Sequence, residues 1–186
     1  MKSVLKKIAI IIDKINEFFG EIACWLCTIL VAIVCFDVFN RYLFNKTNPA
    51  MYELEWHIYA VIFLLAAGFA LKYDQHVRVD LTYAKFSKRT KAWVNLIGAF
   101  IFLIPFCILV VYATKDWVYQ SWSIRETSPD PGGLPARYIL KGCVPFGFIL
   151  LMLQGISEAI KSYFFLFGSE EDKKELKLLE NQEEEN

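Results

Sequence analysis

Histidine is scarce in this sequence of 186 residues, which contains two. The sequence also has no net charge, because its acidic and basic residues are equal in number. The two histidines, His57 and His76, are about 19 positions apart, which corresponds to roughly 28 Å along a continuous helix. They cannot both ligate one haem, which disfavours a cytochrome b-like subunit unless a partner supplies the second ligand. The 20 Lys and Arg residues against 20 Asp and Glu residues leave no basic excess, so nothing indicates a nucleic-acid partner.

Motifs that carry chemistry are also missing. The five cysteines include one Cys-x-x-Cys pair, Cys24 and Cys27, but a zinc site needs two further ligands nearby. We interpret the cysteines as small residues that pack along membrane helices. The sequence contains no Gly-rich phosphate loop, no nucleophile elbow and no carboxylate pair placed for acid–base work. We therefore expect no enzyme activity, no metal and no cofactor.

Hydrophobic residues are abundant, at 56% of the chain, and they gather into long runs. Each run approaches or exceeds the roughly 20 residues that a membrane-spanning helix needs, and a spanning segment must be helical because unpaired backbone groups in lipid are costly. The sequence therefore predicts an all-α membrane protein with four transmembrane helices. The predicted spans are residues 22–44, 52–71, 93–117 and 138–160, the last extending towards residue 167.

The two ends of the chain differ from the predicted spans. Residues 1–20 place Val4, Ile8, Ile11 and Ile15 at helical spacing, with charged residues between them, which predicts an amphipathic helix in the membrane interface that bends at Gly20. A plain extension of the first span is the alternative. Residues 21–167 form the predicted four-helix domain. Residues 168–186 are strongly acidic and predict a solvated cytoplasmic tail.

Lys and Arg residues concentrate in alternate connections. The N-terminal segment, the second connection and the tail carry most of them, and the positive-inside rule places those parts in the cytoplasm. We therefore expect a multi-pass protein of the bacterial inner membrane with both termini cytoplasmic. Membrane lipids are expected partners, since basic residues of the second connection suit anionic headgroups.

Several polar residues lie at the predicted outer ends of the first two spans. Asp37 and Arg41 are four positions apart and share a helix face, so they can pair. Glu53 and His57 share a face at the start of the second span, and Glu55 points elsewhere. The short connection brings Arg41 near Glu53 or Glu55. These residues predict a structural ion-pair network or a contact with a partner protein, and the sequence leaves both open.

Two further segments contain candidate site residues. The second span is followed by four polar residues, Asp74, His76, Arg78 and Asp80. They predict a cytoplasmic turn leading into an interfacial helix, with a metal or proton site as the alternative.

The third connection is the longest outer loop and is rich in proline and glycine. It predicts an irregular surface for a partner, with its charged residues as contacts: Arg125, Glu126, Asp130 and Arg137.

The run RYLFN, followed by YELEWHIYAVIFLLAAGFALKYDQHVRVDL, resembles the small permease subunit of tripartite ATP-independent periplasmic (TRAP) transporters, the DctQ-type family. In that family an Arg ends the first helix, acidic residues start the second, and a His-Val-Arg-Val-Asp-like run follows it. The Gly133–Pro135 loop feature and a proline in the fourth span are also similar. The matching positions of the two runs are Arg41, Glu53, Glu55, His76, Val77, Arg78, Val79 and Asp80.

The resemblance implies a sodium-driven importer of a small organic acid. A periplasmic substrate-binding protein would capture the substrate, and a large membrane subunit would carry the sodium and substrate sites and move as an elevator. This chain would bind the large subunit, widen its fixed scaffold and help dock the binding protein. His57 departs from the family pattern and has no assigned role.

Two other functions stay open on the residues alone. One is a membrane-anchor subunit of a respiratory complex, which the histidine count disfavours. The other is a stand-alone small transporter that forms a homo-oligomer, which would need polar residues at mid-membrane depth. Proline and glycine in the third and fourth spans can mark broken helices at a transport site, but with no polar cluster at the same depth we interpret them as kinks.

Overall fold

The computed structural model describes residues 2–45, 48–73, 86–174 and 178. The described residues are helical apart from short connections, which confirms the all-α prediction. Asp74, His76, Arg78 and Asp80 lie outside the described residues. The helices are α1 (Lys2–Phe44), α2 (Pro49–Lys72), α3 (Lys88–Gly98), a π-helical turn (Ala99–Leu103), α4 (Ile104–Ser123) and α5 (Arg137–Phe167).

Four helical segments are long and apolar enough to cross a membrane, as the sequence predicts. The segment α3, the π turn and α4 run on as one helix, Lys88–Ser123, so three elements make the third span. Asn48 caps the start of α2, and its side chain accepts a hydrogen bond from Ala50 N at 3.0 Å. Pro49 lies in the first turn of the helix. This cap satisfies a backbone donor that a helix end leaves without a partner.

The first helix is continuous through Gly20, the position where the sequence predicts a bend. A Cβ atom at Gly20 would lie 2.2 Å from Phe69 Cδ2, which shows that this glycine permits close packing of α1 on α2. At about 1.5 Å per residue, α1 is roughly 65 Å long, about twice the hydrocarbon thickness of a bilayer. Its first twenty residues therefore form an extension of a spanning helix that packs on α5.

The fifth helix is the centre of the bundle. It contacts each of α1, α2, α3 and α4, and α1 also packs along α2. One core cluster joins α1, α2 and α5 through Ala23, Leu65 and Leu150. A second joins α2, α4 and α5 through Leu71, Cys107 and Leu151.

Glycine sets the closest approach of α2 and α5. A Cβ atom at Gly147 would lie 2.8 Å from both the Cβ and the carbonyl oxygen of Leu64. Close approach of this kind is how membrane helices gain packing energy where lipid offers no hydrophobic driving force. Leu64 and Gly68, four positions apart on one face of α2, thus pack inside the chain.

The π turn has a local cause in the sequence. Pro105 has no N–H, and its ring would clash with the carbonyl four residues earlier in a regular α-helix. The wider π turn at Ala99–Leu103 lies directly before it and absorbs this mismatch. In α5, Pro145 lies inside the helix without ending it.

Candidate functional site

Two polar clusters lie at opposite ends of the bundle. We call the end that holds residues 124–136 the loop end, and the end that holds residues 2–20 and 168–174 the terminal end. The loop end contains most of the described residues that the sequence singled out. The terminal end contains a buried cluster that the sequence analysis did not predict as a site.

Glu53 anchors the connection between α4 and α5. Its side chain is 4% exposed, although it carries a carboxylate at the start of a helix. It accepts a short hydrogen bond from Ser128 Oγ and one of 2.6 Å from Leu134 N. A Cβ atom at Gly133 would lie 2.7 Å from Glu53 Oε2, so this glycine leaves room for the carboxylate. The loop is thus folded around a side chain from α2.

A second anchor lies at the other base of the loop. Lys141 Nζ donates a short hydrogen bond to Glu126, and this ammonium holds the pKa of the Glu126 carboxyl below its usual value. The backbone N–H of Arg137 donates to Glu126 O at 3.0 Å, which ties the loop to the first turn of α5. The loop is therefore ordered by contacts, as its irregular sequence requires.

Aromatic rings support the charged residues of the loop. The Arg125 guanidinium lies 4.6 Å from the centre of the Trp122 ring and 5.7 Å from that of Tyr138. Arg137 lies 5.7 Å from the centre of the Trp56 ring. Such cation–π contacts hold long side chains in place while leaving them partly exposed. Arg125 and Asp130 are exposed at the surface.

The predicted network near Arg41 is only partly brought together. Arg41 Nη2 lies 4.0 Å from Asp37 Oδ2, at the limit of an ion pair, and its side chain is 53% exposed. Glu53 bonds to the loop residues Ser128 and Leu134 rather than to Arg41. Whether Asp37 and Arg41 contact a partner stays a prediction.

His57 and Glu55 occupy separate positions on α2. His57 Nδ1 donates to the carbonyl of Glu53 at 2.6 Å, and its ring lies 3.9 Å from that of Trp56. The histidine therefore stabilises the turn that carries Glu53. Glu55 Oε1 is buried and has no hydrogen-bond partner among the described residues.

At the terminal end, Asp13 is fully buried at the centre of a polar cluster. Its Oδ1 accepts from Gln154 Nε2 at 2.9 Å and from Ser157 Oγ at 2.7 Å. Lys161 Nζ lies 2.6 Å from its Oδ2. A buried carboxylate needs both a counter-charge and hydrogen bonds, and α5 supplies both. This cluster joins the start of α1 to the last turns of α5.

Ion pairs surround this cluster. Lys6 is 1% exposed and donates to Asp172 Oδ1 at 2.8 Å, and Lys2 donates to Asp172 Oδ2 at 3.0 Å. Lys72, at the end of α2, pairs with Glu17 at 2.9 Å. The first residues of the predicted acidic tail therefore pack on the start of α1.

The polar stripe Lys6, Asp13 and Asn16 was the sequence signal for this cluster. These residues recur at helical spacing, and they are buried in the bundle together with Ala9 and Ile12, while Ile11 and Phe18 stay exposed. Lys7 and Lys14 are exposed beside Ile8, Ile11 and Ile15. The buried face of this segment is therefore mixed, and the interfacial helix stays a prediction.

Within residues 2–45, 48–73, 86–174 and 178, no group of three or more His, Cys, Asp or Glu residues is placed to hold a metal ion. The loop end can present an ordered polar surface to another protein. The terminal end can hold two helices and the chain's last described segment together.

The comparison with protein families agrees with this arrangement. A family profile described as tripartite ATP-independent periplasmic transporters, DctQ component, matches residues 30–164. The match includes the loop end and most of α5, and it leaves the first part of α1 outside. No curated protein matches the chain. Since the profile spans well over half of the 186 residues, the chain belongs to the DctQ family, a membrane component of tripartite transporters.

Proposed function

We propose that this chain is the small membrane subunit of a sodium-coupled importer of a small organic acid. It scaffolds the large membrane transport subunit and helps dock the periplasmic substrate-binding protein. Membership of the DctQ family supports the subunit role, and the four apolar helices support its place in a membrane. The family match gives no support to a respiratory anchor or to a stand-alone transporter.

The proposed orientation places the terminal end in the cytoplasm. The Lys residues of the N-terminal segment, the second connection and the tail support this orientation through the positive-inside rule. The loop end then faces the periplasm of a bacterial cell. The exposed face of residues 2–20, which carries Ile11 and Ile15 beside Lys7 and Lys14, meets the cytoplasmic interface of the inner membrane, while Lys6 and Asp13 stay buried in the bundle.

A scaffold needs a rigid body with a broad outer surface. The Asp13 cluster and the helix contacts at Gly68 and Gly147 support rigidity, because buried ion pairs and close backbone contacts resist sliding. Large apolar side chains cover the outward faces of α1 and of α3–α4, including Trp25, Phe36, Phe102 and Leu109. Such faces suit contact with the large subunit as well as with lipid.

The observation that carries the docking role is the anchored loop. Hydrogen bonds from the loop to Glu53, and the contact of Lys141 with Glu126, hold the loop's charged residues in a fixed arrangement. This lowers the conformational entropy that is lost when a partner binds. Arg125 and Asp130 are exposed there, and Arg137 and Glu126 hold the base. We propose that these four residues form or support the surface that meets the binding protein.

The subunit role is tested by purification from the native membrane. The chain carries a tag at its C-terminus, is extracted in a mild detergent, and its co-purifying proteins are identified and quantified by mass spectrometry. We expect a large multi-span protein in near-equal amount. Recovery of the chain alone, or as a homo-oligomer, in several mild detergents would overturn the proposal.

The docking role is tested by Glu53→Gln in the purified complex. Proteoliposomes containing the complex are given a sodium gradient, and uptake is measured against the concentration of added binding protein. We expect the substitution to loosen the loop, because the neutral amide accepts the Ser128 and Leu134 hydrogen bonds more weakly. The binding-protein concentration for half-maximal uptake then rises several-fold, and the yield of complex stays unchanged.

Glu55→Gln is the matched control, since it makes the same change two positions away without a hydrogen bond to the loop. We expect it to leave the concentration for half-maximal uptake unaltered. Equal effects of the two substitutions, or no effect of Glu53→Gln, would rule out loop anchoring as the docking device.

A further inference from the structure

A cavity of about 560 Å³ that is open to the outer surface lies between α3, the π turn, α4 and α5, beside the end of α2. Its wall residues Phe102 and Phe106 are largely exposed. Its volume falls within the range of about 300–1,000 Å³ that is usual for small-molecule sites. Most of its wall is apolar and includes Leu71, Val94, Phe102 and Phe106. Two polar side chains, Asn95 and Glu158, lie at the end nearer the start of α3.

Glycine and the π turn explain why this space is not filled. A Cβ atom at Gly98 would find nothing within 4 Å, so the helix face there borders open space. On the opposite wall, a Cβ atom at Gly155 would lie 2.3 Å from Leu103 Cδ2, so the helices touch there. The wider turn at Ala99–Leu103 shifts the following side chains around the helix and leaves the cavity beside Gly98.

Basic residues continue the same helix face beyond the cavity. Positions 88, 91, 95 and 98 are spaced by three, four and three, so Lys91 and Lys88 lie about two and three turns from Gly98 along one face. Lys88 and Arg89 are exposed, and Lys91 is partly exposed. Ten residues of helix separate Lys88 from Gly98, about 15 Å. Cations thus stand at the mouth of an apolar cavity.

This combination matches one class of ligand. A phospholipid has an anionic phosphate at one end and hydrocarbon at the other, and its length spans such a site in a membrane-embedded helix bundle. Lys88 and Lys91, against the one carboxylate among the lining residues, Glu158, favour an anionic headgroup over a zwitterionic one. A protein side chain would fill the apolar part but would not account for the basic mouth.

We propose that the cavity binds one acyl chain of an anionic phospholipid whose phosphate lies against Lys88 and Lys91. The lipid fills the space beside Gly98 and joins α3 to α5 in the cytoplasmic half of the proposed orientation. It is a structural ligand of the subunit and takes no part in substrate movement. This site goes beyond the docking and scaffold roles.

The test is native mass spectrometry of the purified full chain, released from detergent after titration with phosphatidylglycerol or phosphatidylcholine. We expect one phosphatidylglycerol to bind the wild type more tightly than phosphatidylcholine. Gly98→Phe places a ring in the cavity from a position where a Cβ atom meets nothing within 4 Å. It lowers phosphatidylglycerol affinity roughly ten-fold, since burial of about two methylene groups accounts for that factor. Lys88→Gln with Lys91→Gln removes the headgroup preference.

Gly142→Phe is the control, because a Cβ atom at Gly142 also meets nothing within 4 Å but lies at the loop end, away from the cavity. We expect it to leave lipid binding unchanged. Equal lipid binding by wild type and Gly98→Phe would overturn the proposal. A second pair of results would also overturn it. If the lipid were lost when the chain is purified with its large subunit, and Gly98→Phe failed to co-purify that subunit, the cavity would be a contact site for the large subunit.

Discussion

Asp13 is buried by residues more than 140 positions away in the chain. The sequence shows that Asp13 shares a helix face with other polar residues, and this part of the pattern is local. Which face of an amphipathic helix turns inward depends on its tertiary partner, and Gln154 and Lys161 reveal that partner only once α5 lies beside α1. The periodicity therefore predicts which residues share a helix face with Asp13, but it does not predict that this face is buried in the bundle.

The Asp13–Lys161 pair should behave as a coupled unit. Asp13→Asn removes the carboxylate that pairs with Lys161, and Lys161→Met removes the ammonium that pairs with the buried Asp13 carboxylate. Removal of one partner of a buried pair typically costs about 3–5 kcal/mol. Either substitution should therefore lower the thermal unfolding midpoint of the purified chain in detergent, measured by size-exclusion chromatography after heating.

The double variant provides the control. Asp13→Asn together with Lys161→Met removes both charges, and its loss of stability should be smaller than the sum of the two single losses. Additive losses would show that the two side chains act independently and would contradict the ion pair in the structure.

Asp172 gives a prediction for pH. The hydrogen bond from Lys6 holds the pKa of the Asp172 carboxyl below its usual value. A depressed carboxyl pKa stabilises the folded state above the unfolded pKa of about 3.9, and that stabilisation disappears as the pH falls towards the folded value. The contact between the tail and α1 should therefore persist from pH 8 to about 5 and open only at lower pH.

Spin labels at Ser3 and Lys174, in a variant whose five cysteines are replaced, would measure this contact as an electron–electron distance. Asp172→Asn should lengthen the distance at neutral pH by removing the charge that Lys2 and Lys6 bind. Opening of the parent protein between pH 8 and 5 would contradict the assignment to Asp172.

At the scale of helices, the sequence predicts the spans closely because their apolar runs are continuous. The second and fourth predicted spans differ from α2 and α5 by a few residues at each end. The third span is longer than predicted, since Lys88, Arg89 and Lys91 interrupt the apolar pattern while remaining helical. The length of α1 was harder to predict, because Gly20 serves close packing against Phe69 and the sequence alone does not separate that use from a bend.

Contact between α2 and α5 at Gly147 predicts a steep response to one methyl group. Gly147→Ala places a Cβ atom 2.8 Å from the backbone oxygen of Leu64, so one helix must shift. Overpacking of this kind typically costs about 1–3 kcal/mol. We expect a lower unfolding midpoint in detergent than for the parent chain.

Gly142→Ala is the matched substitution in the same helix, and its Cβ atom meets nothing within 4 Å. It should leave the midpoint unchanged or raise it slightly, because alanine favours helix more than glycine does. If both substitutions lowered the midpoint equally, the cause would be helix propensity and not contact with Leu64.

At the scale of the molecule, α5 connects two ends with different tasks. Near its start it carries Lys141, which ties the loop, and near its end it carries Lys161, which holds the start of α1. The sequence predicts the membrane class and the family because hydrophobic runs and the RYLFN and HVRVD segments are contiguous in the chain. It could not predict that Glu53 would support the loop, since their contact joins residues 75 to 81 positions apart.

The arrangement of the two ends across the membrane yields the last prediction. In a variant without the five native cysteines, Asp130→Cys places a thiol on the exposed loop and Lys174→Cys places one at an exposed position of the tail. Because the positive-inside rule puts the Lys-rich terminal end in the cytoplasm, a membrane-impermeant maleimide should label position 130 in cells with a permeable outer membrane and an intact inner membrane. It should label position 174 only after the inner membrane is opened. The opposite pattern would invert the proposed orientation and remove the loop from the side where a periplasmic binding protein could reach it.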